Sequence, residues 1–392
     1  MNFNYKCTEC GREYEITPEI MLCPECSQKQ EPDKPLCGVL GVSIDGSLDK
    51  DFDIFDFLPV EHEFFPDIPV GNTPLWKPVN LREMLGFPNL FIKDDTLNPT
   101  ASLKDRASYL IAAFARKHGI KDIVVASSGN AGSSMAGVGA SAGLNVTLFV
   151  PKNAPRAKII QALQYGARVS LVDGNYDKAC AYSREYSKIM GGLNRNTAYN
   201  PFSIEGKKTV SLEIFQKLNK APDFVFVPVG DGVILAAVYK GFRDLKQFGI
   251  IDKIPIVYAV QAEGSSAVCR ALDCGEFGKP LTSNTIADSV AVDVPNNGYL
   301  AVKLLKEYDG KCTKVSDLAL LDAQKKLAST AGLFAEPAGA ASFAGFLAVR
   351  ERVPKDAIVV LLVTGNGLKD IDSAAKGVKL PDKPIKSIEE FL

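Results

Sequence analysis

The chain has 392 residues, too many for one small core and enough for two or three domains. Its formal charge of −1 removes the electrostatic case for nucleic acid or an anionic membrane as a partner. No run approaches the roughly 18 apolar residues of a membrane span, and nine cysteines, an odd number, point to a reducing, cytoplasmic compartment rather than a disulfide scaffold.

The first 37 residues carry Cys7-Thr-Glu-Cys10 and Cys23-Pro-Glu-Cys26. Each C-x-x-C unit can turn two sulfurs toward one ion, so the two units supply four thiolates for a tetrahedral structural zinc site. Arg12 to Ile16 alternates like a short strand between them, as in a zinc ribbon. Free thiols or a redox pair are the plainer alternative. A closed set of four protein ligands leaves no open position, so no catalysis is expected here. Leu48 to Phe65 lacks clean periodicity and reads as an irregular or short helical connector.

Leu90-Phe91-Ile92 reads as a strand, and Asn98-Pro99 ends it with a turn signal. Ser102 and Asp105 mark a helix start, which puts Lys104 in the first turn. The backbone dipole disfavours positive charge there. A lone lysine at such a place is ordinarily a solvated surface residue. The alternative is an amine held partly neutral, as Schiff-base chemistry requires.

Further loops follow strands in the same way. Ile123 to Ala126 runs into Ser127-Ser128-Gly129-Asn130-Ala131, then a helix of small residues. Its backbone N–H groups suit a carboxylate or phosphate, and Asn130 adds an amide able to hold a phenolic oxygen. Val146 to Pro151, a helix over Ala157 to Tyr165, and Ala167 to Val172 continue a parallel α/β pattern. Phe224 to Val229 meets Gly230-Asp231-Gly232-Val233-Ile234, a strand, glycine turn and helix with the outline of a phosphate cradle. Asp231 is awkward beside a phosphate and its carboxylate must point away. Ile256 to Val260 is another strand, and Ile358 to Val363 runs into Thr364-Gly365-Asn366-Gly367. Ligands of open parallel sheets gather at such strand ends.

The lysine turn, the Ser-Gly-Asn loop, the Gly-Asp-Gly turn and the Thr-Gly-Asn-Gly loop, in this order, resemble the fold-type II pyridoxal-phosphate enzymes, and within them the threonine synthase family. The resemblance spans roughly residues 68 to 375 and includes Asn200-Pro-Phe-Ser-Ile-Glu-Gly-Lys-Lys-Thr209. It implies two doubly wound α/β domains of the tryptophan synthase β-like kind with an N-terminal zinc-ribbon head. The expected division is a head over 1–37, a large cofactor-binding domain over 38–97 and 206–392, and a small domain over 98–205 inserted in it. The cofactors implied are pyridoxal 5′-phosphate and a structural zinc ion at Cys7, Cys10, Cys23 and Cys26. Lys104 then looks like the Schiff-base lysine, Asn130 like the partner of the 3′ oxygen, and Thr364 like the partner of the pyridine nitrogen. Gly230, Asp231, Gly232, Val233 and Ile234 look like the loop on the 5′-phosphate. Ser128, Gly129, Ala131 and Asn200 look like substrate contacts. The activity implied is conversion of O-phospho-L-homoserine and water to L-threonine and phosphate by a cytoplasmic homodimer acting on a small amino acid.

Departures from the family pattern bear on the substrate. Position 203 is Ser where members acting on O-phosphohomoserine usually carry Arg, so a bidentate clamp on phosphate is missing. Lys207, Lys208 and Arg156 are the candidate replacements. Ala131 stands where Thr is usual, and Ala101 where Gly is usual. The alternative is a paralogue doing β-replacement or ammonia elimination on phosphoserine, serine, threonine or diaminopropionate. A degenerate scaffold carrying a zinc-ribbon binding head is a third reading; the balanced charge and intact lysine turn oppose it.

Overall fold

A computed structural model describes residues 1–127, 129–152, 154–381 and 384–390. The chain starts with β1 (Asn2–Cys7), β2 (Glu13–Tyr14) and β3 (Leu40–Asp45), an antiparallel sheet in the order β2-β1-β3. The strand expected over 12–16 is the two-residue β2. The connector after it holds two 3-10 turns, Ile54–Phe57 and His62–Phe64.

Two further sheets form the body. β4 (Leu75–Trp76) and β5 (Leu90–Asp94) come first, followed by β6 (Asp122–Ala126), β7 (Asn145–Pro151), β8 (Arg168–Val172) and β9 (Leu193–Asn194). The chain then supplies β10 (Phe224–Pro228), β11 (Ile256–Ala262), β12 (Lys311–Val315) and β13 (Val359–Val363). One sheet has the order β12-β11-β10-β13-β5-β4 and the other β8-β7-β6-β9. All pairings within them are parallel except β4 with β5. Helices cover both faces of the larger sheet, so its central strand β13, Val-Val-Leu-Leu-Val, is apolar throughout and fully buried. Each such side chain contributes about 1.5–3 kcal/mol by leaving water.

The strands expected from apolar runs are all present within one or two residues of their expected ends. The helix of the lysine turn, Lys104–Lys117, packs closely on the short helix Phe202–Lys207. Gly206 permits this approach, because a Cβ there would stand 2.3 Å from the Arg106 carbonyl oxygen. Cys269 and Cys312 form a disulfide that ties the helix Ala267–Cys274 to β12, so the expectation of thiols throughout does not hold for this pair. Among the described residues no helix is long and apolar enough to cross a membrane.

Candidate functional site

Four loops leave the carboxyl ends of parallel strands and meet. The lysine turn follows β5, the Asn130 loop β6, the Gly230 loop β10 and the Thr364 loop β13. The lysine turn and the Thr364 loop are stitched together directly. Leu103 N–H donates to the Thr364 carbonyl at 2.9 Å, and Asn366 N–H to the Ala101 carbonyl at 3.1 Å. The expected helix marker Ser102 has no capping role; its hydroxyl is buried without a partner, and the helix begins at Lys104 itself. Asp105 instead reaches back, accepting from the Thr100 N–H at 2.7 Å and from its hydroxyl. Ala101 takes φ 67° to make the turn, a left-handed conformation that glycine adopts without cost.

Asn130 opens the helix Asn130–Ser141. Its Nδ2 donates to Glu336 Oε1 at 2.7 Å and to Ser289 Oγ at 3.2 Å, while its buried Oδ1 has no partner. Glu336 is buried, and its N–H donates to the Gly365 carbonyl at 2.9 Å, which ties the Asn130 loop to the Thr364 loop. Lys158 donates to both Asp288 oxygens at 2.8 and 3.0 Å and lies 3.7 Å from Glu336 Oε2.

Lys104, Asn130 and Ala131 line one cavity of about 100 Å³ with Gly230, Asp231 and Ile234. Gly129, Tyr176 and Asp288 complete part of its wall. Gly230 must lack a side chain, since a Cβ would stand 2.9 Å from the Val290 Cα. Not every expected residue reaches this space. Gly232 and Val233 lie behind it, and the Val233 N–H donates to Asp231 Oδ1 at 3.0 Å. The Asp231 carboxylate therefore takes one amide of the expected cradle and also borders the cavity. Thr364 is buried beneath the lysine turn, outside the lining. Asn200 holds its own loop, with Nδ2 donating to the Asn194 carbonyl and Oδ1 accepting from Phe202 N–H, both at 2.9 Å. Ser128 lies outside the described residues.

Burial pushes the Lys104 ammonium below its ordinary pKa; Asp231 opposes this and Arg195 adds to it. Arg195 is itself brought down to about 10 by burial, against the fields of Tyr176 and Asp231. Burial, with Lys104 and Arg195 beside it, drives Lys207 well below its ordinary value. Of the candidate replacements for an arginine at 203, Lys208 is bound to Glu205 and Asp244, and Arg156 is exposed. Of these, Lys207 alone is buried with the Lys104 charge acting on it. Arg195, Tyr176, Asp288 and Glu336 were not singled out from the sequence. Arg195 and Asp288 sit in segments without periodicity or glycine punctuation; the Gly-Asn before Tyr176 and the Glu-Pro opening of the helix Pro337–Val349 marked helix starts but nothing that tied them to the site.

Residues 67–365 match the sequence pattern of the family described as pyridoxal-phosphate dependent enzyme. The solved structure of threonine deaminase isoform 2 from Solanum lycopersicum superposes with a TM-score of 0.69 at 21% identity, covering 86% of this chain and 98% of that one. At that identity the likeness shows the shared fold, that of the fold-type II enzymes of this kind. Threonine synthase from Methanosarcina acetivorans is 34% identical, covering 94% of this chain and 92% of its own. Threonine synthase from Methanocaldococcus jannaschii is 32% identical, covering 97% and 96%. The chain belongs to the pyridoxal-phosphate dependent enzymes, and within them to the threonine synthase family.

Proposed function

We propose that this enzyme converts O-phospho-L-homoserine and water to L-threonine and phosphate, with Lys104 as its catalytic lysine. The observation that carries this is the single cavity into which Lys104, the Asn130 loop and the Gly230 loop all open. Its residues fit pyridoxal phosphate: a buried amide oxygen on Asn130 lacks a partner, and Gly230 leaves backbone where a side chain would intrude. Lys104 would join the cofactor, Asn130 would meet its phenolic oxygen, and the backbone at Gly230 and Ile234 would face its phosphate, whereas the expected contacts Gly232, Val233 and Thr364 lie outside the lining. Bound there, the cofactor supplies an electron sink for carbanion chemistry beside the amino group.

The chain's own residues do the rest. Lys104 is an amine whose pKa burial lowers, which favours the neutral form that would accept and return a proton at substrate carbon. Glu336 fixes which way the Asn130 amide faces. Backbone at Gly129 and Ala131 would hold the substrate carboxylate.

A steady-state assay tests the reading. Release of phosphate with formation of threonine at millimolar O-phosphohomoserine supports it. Deamination of serine or threonine without phosphate release would favour the ammonia-lyase alternative that Ser203 motivates.

The same proposal includes a structural zinc ion at Cys7, Cys10, Cys23 and Cys26, whose sulfurs all lie within 4.8 Å of one another. A small domain over 98–205 and a large domain over 38–97 and 206–392 belong to it, supported by the separate four- and six-stranded sheets, with a zinc-ribbon head over 1–37 whose sheet runs on into β3. The homodimer rests on the family resemblance alone, and the cytoplasmic compartment on the cysteine count, which the Cys269–Cys312 disulfide opposes.

A further inference from the structure

We propose that Lys207 and Arg195, buried behind the Lys104 wall of the cavity, form a receptor for a phosphate monoester, doing the work of the arginine that position 203 lacks. For the identity of the substrate this rests on the reading above. Both side chains are wholly buried. Among the described residues, Lys207 Nζ and Arg195 Nε and Nη1 have no hydrogen-bond partner, and Arg195 Nη2 reaches only Ser108 Oγ, at 3.5 Å. Buried cations are normally paired, and leaving two of them together without a partner opposes folding. The anion whose field acts on both is Asp231, and its Oδ1 already accepts from Val233 N–H. Asp105 also acts on Arg195 but is held by Thr100, so neither cation has a bonded anion of its own.

Its chemistry follows from the donors. A guanidinium offers a planar pair of N–H groups and an ammonium three more. Ser203, one helical turn before Lys207 on the same face, adds a buried hydroxyl that also has no partner. A tetrahedral dianion has enough oxygens for all of these at once; a planar carboxylate has two. Of the charged groups, Lys104 acts most strongly on Lys207, which couples the receptor to the Lys104 amine. An arriving phosphate supplies the charge that holds Lys207 protonated.

The phosphate has two possible sources, the substrate and the cofactor. Inorganic phosphate is the probe for the shared chemistry, and thermal unfolding of the full-length holoenzyme is the readout. The native protein should be protected by phosphate, and Lys207→Met should weaken the apparent phosphate affinity about tenfold or more. In phosphate-free buffer Lys207→Met should melt at the same temperature or higher, because it removes an unpaired buried amine; a structural lysine would do the reverse. Ser203→Ala, a milder change, should weaken phosphate protection in the same direction and serves if Lys207→Met does not fold.

Two kinetic arms identify the source. A raised KM for O-phosphohomoserine with unchanged cofactor affinity assigns the substrate phosphate. Weakened titration of the cofactor's visible absorption assigns the cofactor phosphate. No protection of the native protein, or equal protection of both variants, overturns the receptor. Phosphate protection that the variants lose, in a protein that does not turn over O-phosphohomoserine, would leave the receptor standing and sink the substrate.

Discussion

Glu213 Oε2 accepts from Arg106 Nη2 at 2.8 Å, and Arg106 stands two residues after Lys104 in the same helix. Arg106 also donates to Asp95 Oδ2 at 2.6 Å and Oδ1 at 2.9 Å, and Lys93 donates to Glu213 Oε2 at 2.5 Å. All four side chains are buried. Strand β5, the lysine helix and the helix Thr209–Leu218 are thus locked through one ionic cluster, which sets where Lys104 emerges.

The cluster makes acid stability predictable. Burial alone would raise the Glu213 carboxyl; Arg106 and then Lys93 more than reverse this and hold it at about 2. A carboxylate whose folded pKa is depressed stabilises the fold above its unfolded pKa, near 4.5, and loses that contribution as pH falls toward 2. The difference is on the order of 3 kcal/mol. Urea unfolding measured across this interval should show the loss in the native protein and not in Glu213→Gln. At neutral pH that variant should be destabilised by roughly 3–5 kcal/mol, because Arg106 and Lys93 lose a shared partner.

Ala101 gives an opposite sign. Its left-handed backbone, φ 67°, costs an L-residue about 1–2 kcal/mol. Ala101→Gly removes that strain and adds freedom to the unfolded chain, so the net gain should be about 1 kcal/mol or less. Chemical denaturation reads it directly. A loss of stability would mean that the Ala101 methyl makes packing contacts worth more than the strain.

Glu336 is a positioning residue for Asn130. Glu336→Ala removes the acceptor of the 2.7 Å bond from Asn130 Nδ2 and leaves the amide free to turn. Cofactor affinity, read by absorbance titration, should fall roughly tenfold to a hundredfold, the value of a hydrogen bond to a charged group. Glu336→Gln keeps an acceptor and should recover most of it.

The proposed zinc ion makes the head testable on its own. Its four sulfurs fit one ion per chain, and Lys303 Nζ ties it to the body through the Thr8 carbonyl at 2.8 Å. Elemental analysis should find one zinc per chain, absent in Cys23→Ser, and chelation should melt the head before the body. Full zinc content in Cys23→Ser would contradict the assigned ligands.

The strands were legible in the sequence because buried parallel strands are written as short apolar runs closed by glycine or proline, as at Phe224–Pro228 and Val359–Val363. Loops at their ends were legible for the same reason, and Lys104, Asn130 and Gly230 converge as their punctuation suggested. Residues recruited across the fold were not. Arg195 stands between two asparagines, Glu336 opens a helix 232 positions beyond Lys104 by their numbering, and nothing local relates them. Ser102 misled because a serine before a helix reads as a cap, whereas here backbone pairing with the Gly365 loop fixes the turn. Asp231, awkward on paper beside a phosphate, closes onto Val233 N–H.

Trapping the lysine with borohydride tests the central claim most directly. The protein loaded with pyridoxal phosphate is reduced, digested and mapped by mass spectrometry. A pyridoxyl label on the peptide containing Lys104, lost in Lys104→Ala, is the predicted result. A label on Lys158, Lys207 or Lys369 instead, or none on a protein that still catalyses the reaction, would contradict it.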